Sequence, residues 1–457
     1  MTTLVSLNPA TGEPLGEVEQ TPPTAVDRVV ARARSAQTAW GDRPAAERCA
    51  ALLEAGRRFS SDAERLAEFI TAEMGKPRAE ALLEVQSLSA GLEEHLDEIR
   101  DAIAPEVLRR GNDESVIHHD PLGVCAAITP WNFPMSMPSW MVFPALAAGN
   151  AVVFKPSQET PLCGQAFADV LLEVLPPDVL QVVQGADEVG RALVAADVDL
   201  IAFTGSREVG KEILSVASAG LKRVILELGG KDPMIVLEDA DLEKAAAFAV
   251  YNTFRNAGQV CIATERIFVA ESVATRFEDL LVAKTAALVL GDGSKPGTSM
   301  GPMVNARQKA HVMAHIEDAV ARGATVRCGG AAELGGNFVA PTVLTGVTDD
   351  MAVARQETFG PVASVTRFTD AEEALTRANA TRFGLGAVVF GGDPAATERV
   401  ARRLQAGMVG INRTPRGVPG TPWVGARESG YGFHMGRDGH RQFTQTRVVT
   451  RSCTSGD

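Results

Sequence analysis

The chain has 457 residues, 45% of them hydrophobic and 22% charged, and a formal net charge of −13 at pH 7. That supports one large or two to three ordinary globular domains with a sizeable core. The acidic balance excludes a nucleic-acid partner, because no basic cluster is longer than pairs such as Arg57-Arg58 and Arg402-Arg403.

Cys49, Cys125, Cys163, Cys261, Cys328 and Cys453 are scattered without a CxxC. Neither a disulfide framework nor a metal site is therefore expected, and a reducing cytoplasm fits best. The histidines form no zinc pattern, and His118-His119 on a strand would face opposite ways. Residues 1–20 have neither the basic start nor the apolar core of a signal peptide. The most apolar stretch, Met141 to Phe154, is broken by Pro144, Gly149 and Asn150, so no membrane span is expected.

In chain order, Asn8-Pro9 and Gly12 read as turns. Residues 42–76 read as two helices, with Ser61-Asp62-Ala63-Glu64 as a capping box and Gly75 and Pro77 as the stop. A helical pattern resumes through 78–103, and Val116–His119 reads as a strand. Apolar runs then alternate with helices. The runs are Val124–Thr129, Ala151–Lys155, Leu180–Gln184, Leu200–Thr204, Val224–Leu228 and Met234–Leu237. The helices are 134–148, 160–174, 187–196 and 207–219. This alternation implies a parallel sheet covered on both faces, with ligands at the carboxyl ends of its strands. A second α/β unit follows, with helices at 240–257, 272–290, 304–322, 370–380 and 394–406. Its strands are 266–270, 324–328, 338–345, 361–368, 386–390 and 408–412. Residues 413–440, rich in Gly, Pro and Arg, read as loops over a site, and Gln442–Arg451 as a terminal strand that needs a partner.

Six short stretches at strand ends or turns carry side chains able to do chemistry. In Pro130-Trp131-Asn132-Phe133-Pro134 the asparagine amide could donate to an oxyanion or cap a turn. Lys155, before Pro156-Ser157-Gln158, could reach a ribose or phosphate, or be an ordinary surface lysine. Gly205 and Ser206 could admit a phosphate to a helix N-terminus or simply cap that helix, and the GxGxxG pattern is absent. Glu227, before Leu228-Gly229-Gly230-Lys231, suits a general base or a surface ion pair. Cys261, in Gly258-Gln259-Val260-Cys261-Ile262-Ala263, is either a nucleophile for an aldehyde or a small buried apolar residue. The other five cysteines lack such a loop and read as packing residues. In Glu357-Thr358-Phe359-Gly360-Pro361 the carboxylate could accept from ribose hydroxyls with Phe359 against a flat ring, or the segment could be a turn over a core phenylalanine.

Together, Asn132 in PWNFP, Lys155 in FKPS, Ser206 in FTGSxxVG, Glu227 in ELGGK, Cys261 in GQVC and Glu357 in ETFGPV resemble the aldehyde dehydrogenase superfamily. The resemblance runs from Asn8-Pro9-Ala10-Thr11-Gly12 to about residue 450. It implies an α/β fold with a Rossmann-like cofactor domain (1–104 and 122–232), a catalytic domain (233–439) and a small β oligomerisation arm (105–121 and 440–457). It also implies oxidation of a small-molecule aldehyde to its acid with NAD or NADP, by a homodimer or homotetramer. Cys261 would attack the carbonyl, the Asn132 amide and the Cys261 N–H would hold the oxyanion, and Glu227 would activate the water that hydrolyses the thioester. The Gly229-Gly230 pair would be a hinge for Glu227, and the presence of Glu227 argues against acyl transfer to CoA. Ile128, Pro130, Trp131, Lys155, Ser157, Gln158, Gly205, Ser206, Leu228, Glu357 and Phe359 would hold the cofactor. Among these, Lys155 would meet the adenosine ribose, Ser206 the pyrophosphate and Glu357 the nicotinamide ribose. Phe133, Met137, Trp140, Met141, Val260, Ile262 and Trp423 would line or border the tunnel to Cys261. The tail strand would find its partner in another subunit.

Two departures from the family pattern shape the expectations. Gln158 stands where NAD-strict relatives carry a glutamate that would repel a 2′-phosphate, so NADP should be tolerated or preferred, with help from Arg207. Trp140 stands where relatives acting on succinate semialdehyde place an arginine. A neutral aliphatic or aromatic aldehyde is therefore expected, with an acidic semialdehyde as the alternative if Arg413 or Arg416 substitutes. A non-catalytic relative serving as a binding or structural protein is a third reading, which intact Cys261, Glu227 and Asn132 disfavour.

Overall fold

The computed structural model describes residues 2–330 and 334–452. The alternating runs form two sheets. The first has six strands in the order Gly430–Tyr431, Arg223–Glu227, Leu200–Thr204, Val124–Ile128, Ala151–Lys155 and Leu180–Val182. All its pairings are parallel except that of Gly430–Tyr431 with Arg223–Glu227. Helices such as Ser136–Ala147 and Pro161–Leu172 pack on one face, and Val26–Gly41 and Asp187–Ala195 on the other, so the strands are buried on both sides.

The second sheet has seven strands in the order Thr325–Gly330, Ala340–Thr345, Val362–Phe368, Thr264–Ala270, Asp232–Val236, Gly386–Phe390 and Met408–Ile411. Only Thr325–Gly330 runs antiparallel to its neighbour. Apolar layers cover both faces, with Leu242–Phe254 and Glu271–Ala286 on one and Ala371–Asn379 and Pro394–Ala401 on the other.

The sequence reading missed the hairpin of Thr3–Leu7 with Pro14–Glu19 and the helix Val26–Gly41. The helical stretch 78–103 is two helices, Arg78–Gln86 and Leu92–Ala102. The capping box does not form. Ser61 ends the helix Ala45–Ser61 and donates to Arg58 O at 3.0 Å. Arginines draw the other two polar members away, since Arg65 donates to Asp62 at 2.6 Å and Arg78 to Glu64 at 2.5 Å. Residues 413–440 are not all loop: they include Trp423–Val424 paired with Phe433–His434, and the helix Gly436–Arg441. The apolar stretch around Pro144 is a buried core helix, and among the described residues no helix is long and apolar enough to cross a membrane.

Glu106–Arg110, Asp113–Pro121 and Thr444–Ser452 form a three-stranded antiparallel sheet with Asp113–Pro121 in the centre. The tail strand therefore finds its first partner within its own chain, along the whole of Asp113–Pro121, because a nine-residue register is available there. Cys49, Cys125 and Cys163 are buried packing residues, Cys328 is half-buried, and Cys453 lies outside the described residues.

Candidate active site

A cavity of about 700 Å³ opens where the two large sheets face each other. The first sheet contributes the loops after its strands: Pro130–Asn132, Gly205–Glu208 and Leu228–Gly229. The second contributes residues that precede its strands: Cys261 before Thr264–Ala270, Glu357 and Phe359 before Val362–Phe368, and Arg382-Phe383 before Gly386–Phe390. The carboxyl-end expectation thus holds for the first sheet, while the second presents its amino ends.

The turn leading to Cys261 is held by buried amides. Asn256 and Ala257 have φ of 53° and 54°, and Gly258 has φ of 72°. A Cβ at Gly258 would lie 2.2 Å from Gly360 O, so only glycine fits. Gln259 is fully buried and donates to Asn256 O at 3.0 Å, while its Oε1 accepts from Val304 N at 2.9 Å. The Gln259 carbonyl accepts from Asn132 Nδ2 at 3.0 Å and Asn256 Nδ2 at 3.1 Å. Asn132 is thereby fixed through one hydrogen of an amide group that has two. Its own carbonyl accepts from Lys76 Nζ and Asn256 Nδ2, both at 3.0 Å. Lys76 is buried, pairs with Glu84 and lies 4.0 Å from the Phe133 ring centroid. Glu84 in turn accepts from Met135 N and Ser136 N at 3.0 and 3.2 Å.

Burial pushes the Cys261 thiol up, and the carboxylates of Glu227, Asp232 and Glu357 add to the effect. Both effects favour the neutral thiol over the thiolate. Glu227 ends the strand Arg223–Glu227, is 4% exposed, and has no hydrogen-bond partner for either carboxylate oxygen among the described residues. Burial raises its carboxyl well above the usual carboxylate range, and the Trp423 indole opposes only part of that. The next residues are clamped by Ser429, which donates to Gly229 O at 2.7 Å and accepts from Leu228 N at 3.0 Å. Close approach also requires glycine at both positions of the Gly-Gly pair. A Cβ on Gly229 would lie 2.1 Å from the Glu357 carboxylate, and one on Gly230 would lie 2.6 Å from Cys261 O.

Glu357 accepts from Gly230 N at 3.0 Å, and burial, with help from the Glu265 charge, raises its carboxyl to about 8. The segment around it is anchored by Glu265, which pairs with buried Lys231 and accepts from Phe359 N at 2.8 Å. Trp131 and Phe359 meet edge to face with centroids 5.5 Å apart. Ser206 caps the helix Arg207–Ser218, accepting from Val209 N at 3.4 Å.

The structure does not bring every expected residue to this cavity. Ile128, Lys155, Ser157 and Gln158 sit at the same sheet end, where Ile128 is in register with both Lys155 and Phe203, but none lines the cavity. Lys155 is 5% exposed, donates to Pro156 O at 3.1 Å and is lowered to about 8 by burial. Arg207 is held by Glu208 and Glu428. Phe133, Trp140, Val260, Ile262 and Trp423 do cluster around Cys261, and Met137 lines the cavity. Met141 does not border a tunnel: one turn past Met137, it is 1% exposed in the core under the first sheet. Trp140 and Trp423 meet edge to face at 5.0 Å and wall a second cavity of about 450 Å³, whose rim carries Glu94 and Glu98 as well as Arg413 and Arg416.

The sequence reading missed Arg307, His311, Arg355 and Arg382 on the cavity wall, and the Lys76–Glu84 pair behind Asn132. The arginines and His311 have no local signature. Lys76 could have been noticed as a cation just past a helix stop.

A family model described as the aldehyde dehydrogenase family matches residues 2–449. The betaine aldehyde dehydrogenase of Cereibacter sphaeroides is 39% identical over 444 residues, covering 96% of this chain and 92% of that protein. A probable succinate-semialdehyde dehydrogenase (NADP+) of Sinorhizobium fredii is 38% identical over 455 residues, covering 98% and 92%. The solved structure of betaine aldehyde dehydrogenase from Staphylococcus aureus in complex with NAD+ superposes with a TM-score of 0.95 at 31% identity, covering 99% of this chain and 92% of that one.

Proposed function

The chain belongs to the aldehyde dehydrogenase family, and from that premise we propose that it oxidises a neutral aliphatic or aromatic aldehyde to its carboxylic acid with NAD or NADP, using Cys261 as the nucleophile. The observation that carries the reading is a cavity-lining thiol close enough to feel the charge of Glu227, a buried glutamate whose carboxylate oxygens make no hydrogen bond among the described residues. Glu227 takes the thiol proton, and the sulfur forms a bond to the aldehyde carbon. The free amide hydrogen of Asn132 and the backbone N–H of Cys261 hold the resulting oxyanion. A bound nicotinamide supplies the acceptor for the hydride that this carbon gives up. Cys261 is then acylated. Glu227 passes the thiol proton to solvent and, again a carboxylate, draws a proton from water; the water oxygen adds to the thioester carbon, the carbon–sulfur bond breaks to release the acid, and the leaving thiolate takes the proton held by Glu227.

The residues present fit the cofactor. The cavity ends on the N-terminus of a twelve-residue helix capped by Ser206, with Gly205 beside it, which suits a pyrophosphate. Pro130, Trp131, Leu228, Glu357 and Phe359 would hold the nicotinamide half, and Ile128, Lys155, Ser157 and Gln158 the adenosine half. Neutral Gln158 is compatible with a 2′-phosphate. Arg207, already held by two carboxylates, contributes little to that preference.

The substrate reading rests on the apolar cluster of Phe133, Trp140, Val260, Ile262 and Trp423 around Cys261. The outer rim carries both signs of charge and so selects neither ion. Arg413 and Arg416 on that rim support the second reading, an acidic semialdehyde. The test measures kcat/KM for hexanal, benzaldehyde, succinate semialdehyde and betaine aldehyde with each cofactor. Hexanal or benzaldehyde should lead, and succinate semialdehyde or betaine aldehyde in front would overturn the substrate class. A preference for NAD above about a hundredfold, or ~2.7 kcal/mol, would overturn the tolerance for NADP. Cys261→Ala should abolish reduction of the cofactor. No turnover of any aldehyde by the wild type would favour a non-catalytic role.

The domain division 1–104 with 122–232, then 233–439, belongs to this reading, as does a cytoplasmic setting, which the five free described cysteines support. So does assembly as a homodimer or homotetramer through the three-stranded sheet, where Val107, Leu108, Val448 and Val449 are exposed. Light scattering on the eluting protein should give two or four chains, and a single chain would remove the arm from the proposal.

A further inference from the structure

Away from the catalytic cavity, His440 is 1% exposed and neither of its ring nitrogens has a hydrogen-bond partner among the described residues. Buried polar atoms without partners are rare, and each calls for a ligand, an ion or an ordered water. His440 lies on the short helix Gly436–Arg441, which packs against the helix Leu92–Ala102. On that second helix His95 and Glu98 are three residues apart and so share a face. His440 Nε2 is 3.9 Å from Glu98 Oε2, and His95 Nδ1 is 4.0 Å from the same oxygen. One ligand atom from each of the three falls within 4.8 Å of the others. These separations are too long for hydrogen bonds. The two contacts to Glu98 are about 0.6 Å, and the widest separation up to about 1.5 Å, longer than the roughly 3.3 Å between donors around a tetrahedral zinc at its usual bond lengths. Binding therefore requires the His95 and Glu98 side chains, both only half-buried, to turn in toward His440.

We propose that His95, Glu98 and His440 form a binding site for a divalent transition metal, with Zn2+ the best match to two imidazoles and one carboxylate. His95 and Glu98 also line the outer cavity beside Trp140 and Trp423, so a fourth coordination position faces that cavity. The ion would tie the helix Leu92–Ala102 to the segment that closes the Trp423 wall. No local spacing announces this site, because its ligands come from opposite ends of the chain. It does not depend on the reaction assigned above.

The test strips the purified chain with a chelator and titrates Zn2+ calorimetrically. One Zn2+ per chain is expected, and Zn2+ should raise the melting temperature. Loss of an outer-shell partner alone weakens a metal site about tenfold or more, so His95→Ala and Glu98→Gln should each weaken binding by at least that much and abolish the thermal shift. Both positions are partly exposed, which keeps the test independent of any folding defect in a His440 variant. Co2+ in place of Zn2+ should give visible d–d bands without thiolate charge transfer, distinguishing the site from metal captured by Cys261. Absence of heat above the buffer blank would overturn the proposal, as would binding unchanged in His95→Ala and Glu98→Gln.

Discussion

On the Asn132 side of Cys261 the buried amides and charges are matched: Asn132, Asn256 and Gln259 interlock, and Lys76 pairs with Glu84 behind them. On the Glu227 side, among the described residues, only the Trp423 indole acts on the carboxylate, short of a well-formed hydrogen bond, and the backbone just beyond it is clamped by Ser429. The two sides meet different chemical demands. An oxyanion donor works best fixed before the charge develops. A base that must take protons at two stages works best unpaired, because every hydrogen bond to its charged form would lower its pKa and its basicity. Under the proposed reaction, saturation on one side and deprivation on the other would serve these two roles.

The largest effect that would sharpen this contrast is expected from Glu227→Gln. Steady-state turnover should fall about 10²–10⁴-fold, the usual worth of a general base. If Glu227 chiefly releases the acyl group, a single burst of reduced cofactor should survive in rapid mixing. A burst lost in proportion to turnover would place its essential role before acylation. On the saturated side, Lys76→Met strands the buried Glu84 carboxylate and should cost about 3–5 kcal/mol in a denaturant titration. Adding Glu84→Gln should recover much of that loss. If Lys76→Met costs less than about 1 kcal/mol, the oxyanion side is not held by this pair.

Much of this frame was legible in the amino acids, for a physical reason. The alternation of apolar runs with helical patterns finds the strands, though Met234–Leu237, read with the first sheet, belongs to the second, and the strand ends place Asn132, Ser206, Glu227 and Cys261. Short motifs read well where the chemistry requires one residue type next to a turn. Three things did not read. The hairpin Thr3–Leu7 with Pro14–Glu19 is mostly exposed and so carries no clean apolar period. The capping box at Ser61 lost to long-range and local arginine pairs that no propensity encodes. Met141 and Met137 differ by one helical turn, yet one packs in a core and the other faces the cavity, because Ser136–Ala147 is buried nearly all round and its apolar pattern has no distinctive face. The supporting network of Lys76, Glu84 and Gln259 was hidden for a related reason: its members come together only through the tertiary fold.

The smallest expected effect probes the unpaired side directly. Burial raises the Glu227 carboxyl well above its ordinary value of 4.5, so the native chain keeps a proton there that the unfolded chain releases. Between 4.5 and the raised native value, the native state binds more protons than the unfolded state, and stability falls as pH rises. Above that window the penalty is complete. Below it, native and unfolded chains both carry the proton, and the penalty is absent. Glu227→Gln removes the ionisation while keeping the shape. It should therefore stabilise the chain by about 1–3 kcal/mol at pH values above the window, the range for a buried polar group without a partner. The difference from wild type should shrink toward zero below pH ~4, where a model carboxyl is protonated in either state. Melting temperatures of the two proteins across that range give the comparison. Equal stability at every pH would mean that Glu227 finds a partner in solution, and the contrast between the two walls of Cys261 would then no longer explain why the base is poised.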